Sequence, residues 1–225
     1  MIDYKLVRSE RKTLCIMIDA DANVIVRAPK KTKKWFIDAF VQKNEVRINQ
    51  LIKKNKKRLD KRKSFELNYN NKVLFLGREY LITSKDCDKI GFNGDEFFIS
   101  SGYSSEEIKQ NMIKIYKNLA EDILKNKVKK ISSYMGSLPS SVKITSAKTR
   151  WGSCSGKNGI CFSWKLIMAS EAAIDSVVVH ELAHIKEHNH SNSFWHIVYN
   201  VMPDYDKYKL ELKELSLRLL NEDWK

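Results

Sequence analysis

Val177-Val178-Val179-His180-Glu181-Leu182-Ala183-His184-Ile185 decides how the chain is to be understood. Apolar residues at 177 to 179, 182 and 185 surround three polar ones, which suits a helix buried on most sides with one polar face. His180 and His184 are four residues apart, so both imidazoles leave that face about one turn apart. Nitrogens so placed can reach one zinc ion at roughly 2.0–2.1 Å. Glu181 stands beside them, where a carboxylate can take a proton from a metal-activated water. With 5 His and 14 Glu in 225 residues, a bare match to this spacing arises by chance roughly 0.007 times. The stretch is a metal site on a helix.

A third protein ligand has to come from further along. All five histidines fall between residues 180 and 196. His188 continues the spacing, but a straight helix carries it about 12 Å along the axis from His180, too far for a shared ion. Asn189 tolerates the left-handed conformation that ends helices, so the chain is expected to turn there and swing His190 back. Ser191 or Ser193 then caps a following helix containing Phe194, Trp195, Ile197 and Val198. His190 is the favoured third ligand, with His196, Glu211 and Glu214 as alternatives. Three protein ligands leave a position open for water, the arrangement of catalytic rather than structural zinc. Manganese, cobalt or iron in place of zinc stays open.

Working back toward the N-terminus, the pattern alternates between periods. Leu14, Ile16 and Ile18, then Val24 and Val26 after the turn at residues 19 to 23, predict a β-hairpin. From Thr32, a candidate cap, Trp35, Phe36, Ala39, Phe40, Val46, Ile48 and Ile52 predict one long helix. Strands return at 73 to 76, 79 to 83 and 97 to 99, divided by Gly77 and by Asn93-Gly94-Asp95. Ser104 or Ser105 with Glu107 opens a second helix striped by Ile108, Met112, Ile115, Leu119, Ile123 and Leu124. Short strands follow at 142 to 145 and 160 to 162, and helix from 170 onward. The class is α+β, with a basic, β-rich region with one long helix over 1–103 and a metal-dependent hydrolase domain over 104–225.

Composition narrows the partners. The chain carries a formal charge of +14, and residues 1 to 63 hold 19 Lys and Arg against 7 Asp and Glu. Such a front attracts polyanions, so nucleic acid is a possible partner there, although a solvated helix face is the plainer account. No helix-turn-helix, zinc-finger or RNP signature accompanies it. Apolar runs fall short of the roughly 18 residues a membrane helix needs, so no membrane association is expected. Met1-Ile2-Asp3-Tyr4-Lys5 puts no apolar stretch behind a basic one, and a cytoplasmic location is expected. Cysteines at 15, 87, 154 and 161 form no Cys-x-x-Cys pair, and Cys15 and Cys87 suit half-buried thiols in a reducing compartment.

Several separated blocks together resemble the YgjP-like metallopeptidase family, related to the WLM and SprT-like zinc peptidases. They are Arg150-Trp151-Gly152-Ser153-Cys154-Ser155, residues 174 to 184, Asn189-His190-Ser191 with Phe194-Trp195, and Pro203-Asp204-Tyr205. The resemblance implies a zincin-like domain of minigluzincin type, its helix beside a short sheet. It also implies zinc on His180, His184 and His190, with Glu181 as general base. A metallopeptidase is the favoured function. The family has also been connected with hydrolysis of nucleoside triphosphates such as UTP to monophosphate and pyrophosphate, which makes a nucleotide pyrophosphohydrolase the alternative. Against it stand the missing P-loop and the missing acidic cluster for magnesium. A nucleic-acid-recruited hydrolase or binding module is the second alternative.

The Trp-Gly-Ser-Cys block is expected to be a tightly packed turn on the cleft wall, beside a strand to whose edge a peptide can add. Cys154 as nucleophile or further ligand is less favoured. Lys148 and Arg150 are candidates for holding a substrate carboxylate or phosphate, with Trp151 beside them as a further substrate contact. Among Tyr199, Tyr205 and Tyr208 none is singled out, and Tyr205 is expected to pack in a turn between helices.

Overall fold

The computed structural model describes residues 2–19, 21–86 and 89–224. Cys87 and part of the expected turn at 19 to 23 lie outside the described residues. The chain divides into two compact units, one of residues 1–65 with 219–223, the other of residues 66–218 with 224–225.

In the first unit β1 (Lys5–Ser9), β2 (Cys15–Ile18) and β3 (Val24–Pro29) form a sheet in the order β1-β3-β2. The expected hairpin is β2 against β3, with Ile18 opposite Val24, and β1 adds in parallel to the other side of β3. Val24, Val26 and Ala28, alternate residues of β3, are buried and face Ile37, Val41 and Ile48. Period-two burial of this kind is what one covered sheet face demands.

The single helix expected after Thr32 is two: α1 (Lys34–Lys43) and α2 (Glu45–Lys63). Asn44 is the reason. Its Nδ2 donates to the Phe40 carbonyl at 2.8 Å, while its own N–H turns to Val41 O at 3.0 Å. The side chain thus takes the acceptor that a continuing helix would give its backbone. Thr32 is not the cap either; Lys33 occupies that position with no side-chain hydrogen bond.

The second unit begins with β4 (Lys72–Phe75), β5 (Arg78–Lys85), β6 (Gly91–Phe92) and β7 (Phe97–Ser100), ordered β4-β5-β7-β6. The β4–β5 turn uses Leu76 and Gly77, both at positive φ (49° and 77°), as a two-residue hairpin requires. Phe75, Tyr80, Phe92 and Phe97 cluster on this sheet and meet Tyr116 of α3 (Ser105–Met135), 5.4 Å from Phe97 between ring centroids. Helix α3 opens with a capping box, Ser104 accepting from Glu107 N–H and the Glu107 carboxylate accepting from Ser104 N–H, and closes at Gly136 in the left-handed region.

A second sheet, β8 (Ser141–Thr145), β10 (Gly159–Ser163) and β9 (Gly152–Cys154) in that order, leads through a 3-10 turn (Trp164–Met168) into α4 (Glu171–Ala183). Helices α5 (Asn192–Val201) and α6 (Tyr205–Leu219) complete the unit's described elements. Helix α4 is buried nearly all round, packed against α3, α5 and β9. Its register is fixed at the start, where Ser170 caps Ala173 N–H while its own N–H and hydroxyl donate to Glu211 of α6 at 2.9 Å each. Lys127 of α3 bridges to Asp175 and Glu171 on the same helix. The α+β class is as expected, with the histidine-bearing helix beside a short sheet. No helix among the described residues is long and apolar enough to cross a membrane.

Candidate active site

The buried helix α4 ends in its functional groups. His180 and Glu181 lie on its last turn, and His184 is the residue that closes it. The chain then leaves the helix through tight turns, Ile185 N–H to Leu182 O and Lys186 and Glu187 N–H to Ala183 O. The exit is therefore five residues earlier than the one expected at Asn189, which has ordinary negative φ. Asn189 does a different job, accepting Ser191 N–H through Oδ1 at 3.0 Å. Ser191, one of the two expected caps, then caps α5 by accepting Phe194 N–H at 3.2 Å. Between them these turns carry His190 back over the helix end.

The ligand atoms of His180, His184 and His190 all lie within 4.8 Å of one another. Nε2 of His190 is 3.2 Å from Nε2 of His180. The opposite ring nitrogens are already engaged: His180 Nδ1 is 2.9 Å from the Tyr205 hydroxyl, and His184 Nδ1 is 3.0 Å from the Glu187 carbonyl. With Nδ1 of each ring carrying its hydrogen toward those oxygens, both Nε2 atoms present lone pairs to the common point. Three imidazoles, two of them held by outer hydrogen bonds, fit a borderline cation such as zinc, so the donor set suits a divalent transition metal. Phe194 and Trp195 stack around the three rings, His184 lying 4.5 Å from Phe194 and His190 5.7 Å from Trp195 between centroids.

Burial also sets the charge states. It pulls the His180 pKa down to about 4, helped by the neighbouring His184, His190 and Lys209 charges, and it lowers His184 as well. Glu181 is 6% exposed, and burial pushes its carboxyl up to about 7, opposed by the Arg150 charge and by Cys154 N–H. Tyr205, buried at the start of α6, is raised to about 12, by burial first and then by the negative charges near it, and keeps its proton.

Glu181 packs against β9 closely. A Cβ on Gly152 would stand 2.6 Å from Glu181 Oε1, so only glycine leaves room for the carboxylate there. Beside it opens a cavity of about 300 Å³ lined by Trp151, Gly152, Val177, His180, Glu181, Tyr205, Lys209, Leu212, Lys213 and Ser216. Of the substrate contacts expected from sequence, Trp151 lines this cavity, Arg150 is exposed near Glu181, and Lys148 is exposed on the preceding loop. His188 and His196 are exposed and outside the histidine cluster, as is Glu214, and Glu211 is spent on Ser170. Cys154 serves through its backbone, and burial beside Glu181 raises its thiol. Lys209 and Lys213 were not foreseen, and Tyr205, one of three tyrosines among which the sequence did not choose, stands at His180 Nδ1. Each is 25 or more residues from His180 in sequence, and the one local clue was the i, i+4 spacing of the two lysines.

A family model described as YgjP-like, metallopeptidase domain, matches residues 12–215. Among solved structures, the crystal structure of the metallopeptidase zymogen of Pyrococcus abyssi abylysin is similar at 25% identity with a TM-score of 0.36, covering 46% of this chain and 97% of that one. Comparison with curated proteins returns no significant match.

Proposed function

The chain belongs to the YgjP-like metallopeptidase family, and from that premise we propose that it is a single-zinc peptidase in which Glu181 is the general base. The observation that carries this reading is the convergence of His180, His184 and His190 within 4.8 Å beside a buried carboxylate. Zinc, or another divalent transition metal held by the three imidazoles, would polarise the scissile carbonyl and acidify a water at its open position.

The chain's own groups do the rest. Tyr205 and the Glu187 carbonyl hold the planes of His180 and His184 through Nδ1. Cys154 N–H and the bare Cα of Gly152 hold Glu181 against β9. From there its carboxylate takes the proton of the attacking water and returns it to the leaving amine nitrogen. Among the described residues β9 pairs only with β10, and its other edge suits an extended peptide backbone.

The test is metal content and cleavage of an unfolded protein by the purified chain. Glu181→Gln should keep a stoichiometric metal and lose turnover. His190→Ala should lose metal, and His188→Ala should not. Full activity in Glu181→Gln would sink the mechanism, and metal lost with His188 instead of His190 would sink the ligand set.

A further inference from the structure

We propose that Lys209 and Lys213 turn the cavity beside Glu181 into a pocket for a glutamate side chain of the peptide substrate, so that cleavage is directed next to acidic residues; this rests on the peptidase reading above. The two lysines are four residues apart on α6, so their ammonium groups share one face of the helix, and both line the cavity. Lys209 Nζ lies 5.7 Å from the Trp195 ring centroid, the same ring that packs against His190, which holds this charge near the histidine cluster.

The charge of the pocket is unbalanced. Among the described residues Glu181 is the one carboxylate lining it, and that group is turned to β9, where it accepts Cys154 N–H. Neither Lys209 nor Lys213 has a carboxylate partner among the described residues. Other helix lysines of the same unit do: Lys109 with Glu106, Lys125 with Glu121, and Lys127 with Asp175. Two unneutralised cations in the lining of a concave site concentrate anions there, and Arg150 adds a third positive charge close by.

The walls choose among anions. Trp151, Val177 and Leu212 give the cavity an apolar lining beside the lysines' contribution. A glutamate covers that lining with its methylenes and brings its carboxylate to the ammonium groups. About 300 Å³ is ample for one such side chain.

The experiment uses the full zinc-loaded chain and peptides identical except for Glu, Gln or Lys beside the scissile bond. We expect kcat/KM about tenfold higher for Glu than for Gln, and the Lys209→Glu/Lys213→Glu protein to reverse the order in favour of Lys. Binding of the same fluorescent peptides to the Glu181→Gln protein should show the same order and the same reversal. Equal cleavage of the Glu and Gln peptides would overturn the pocket and leave the peptidase reading standing. Preference for a free C-terminus over its amide, with no effect of the internal residue, would also overturn the glutamate assignment. If no peptide were cleaved and pyrophosphate were instead released from nucleoside triphosphates, the peptidase reading would fail. The binding arm would then rule on the pocket alone, and affinity indifferent to Glu against Gln would end it.

Discussion

At the scale of single residues the site is built by contacts that exclude alternatives. Gly152 sits where a methyl group would meet both Oε1 and Cγ of Glu181, at 2.6 and 2.7 Å. Gly152→Ala should therefore push the carboxylate off β9, lowering kcat by 10²-fold or so, the cost of misplacing a reacting group by about 1 Å. Bound metal should be unchanged, because the three atoms nearest that Cβ position all belong to Glu181 and none to a histidine. A variant of full activity would show that the carboxylate need not stand there. Tyr205→Phe tests the other support. It keeps the buried ring but removes the hydroxyl from His180 Nδ1. Metal affinity should fall by roughly 10-fold, measured by competition with a chelator, since outer hydrogen bonds orient such ligands. His180, Glu181 and His184 were legible in the sequence because one helix face fixes their geometry. His190 was legible from the length limit on that helix, although the turn that delivers it is made by residues 184 to 187 and not by Asn189. Tyr205 was not legible, since its partner is fixed only when α6 packs on α4.

At the scale of elements, the boundaries show which local signals survive packing. Ser104 and Glu107 form the reciprocal capping box that their spacing announces, with the hydroxyl and carboxylate both engaged. Thr32 has the right residue type but stands one residue before the cap position, and α1 starts from Lys33 with no side-chain cap bond. Ser104→Ala should then cost about 1 kcal/mol in denaturant unfolding, and Thr32→Ala close to nothing. Equal losses would show that cap assignment in this chain is not governed by the side-chain bond. The same comparison explains the split between α1 and α2. Periodicity runs straight through Asn44, because Ile37, Val41 and Ile48 all face β3, and a hydrophobic pattern is blind to one amide that prefers its neighbour's carbonyl. The basic run from Lys53 to Lys63 lies on α2, where Arg62 pairs with Asp223 and the lysines are exposed without ion pairs among the described residues. The helix is held through Ile48 and Ile52 on its apolar face, and the use of its basic run as a nucleic-acid surface is a proposal that a salt-dependent binding slope would check.

For the whole molecule, the question is which part of the chain carries the hydrolase. Composition and strand content suggested a division at 103/104, which would make residues 104–225 the unit. The aromatic sheet before that point is bound into the second unit's core. Val73, Phe75, Ile82, Phe97 and Ile99 are each at most 3% exposed. The Tyr116 hydroxyl donates to Leu74 O at 2.7 Å, and Leu76 N–H donates to Ile167 O at 2.8 Å. Gly77 lies so near Ser170, the cap of α4, that a Cβ would come within 2.9 Å of its Cα. Burying five such side chains is worth roughly 1.5–3 kcal/mol each, about as much as the whole stability of an ordinary domain. A fragment starting at 104 should consequently unfold without cooperativity and bind metal weakly, whereas one starting at 66 should melt cooperatively and keep the metal. Thermal melts of the two fragments, with metal titrated into each, decide it. Cooperative melting and full metal binding by 104–225 would place the division where composition put it, and would mean that the aromatic sheet rests on the hydrolase without supporting the helix that carries His180.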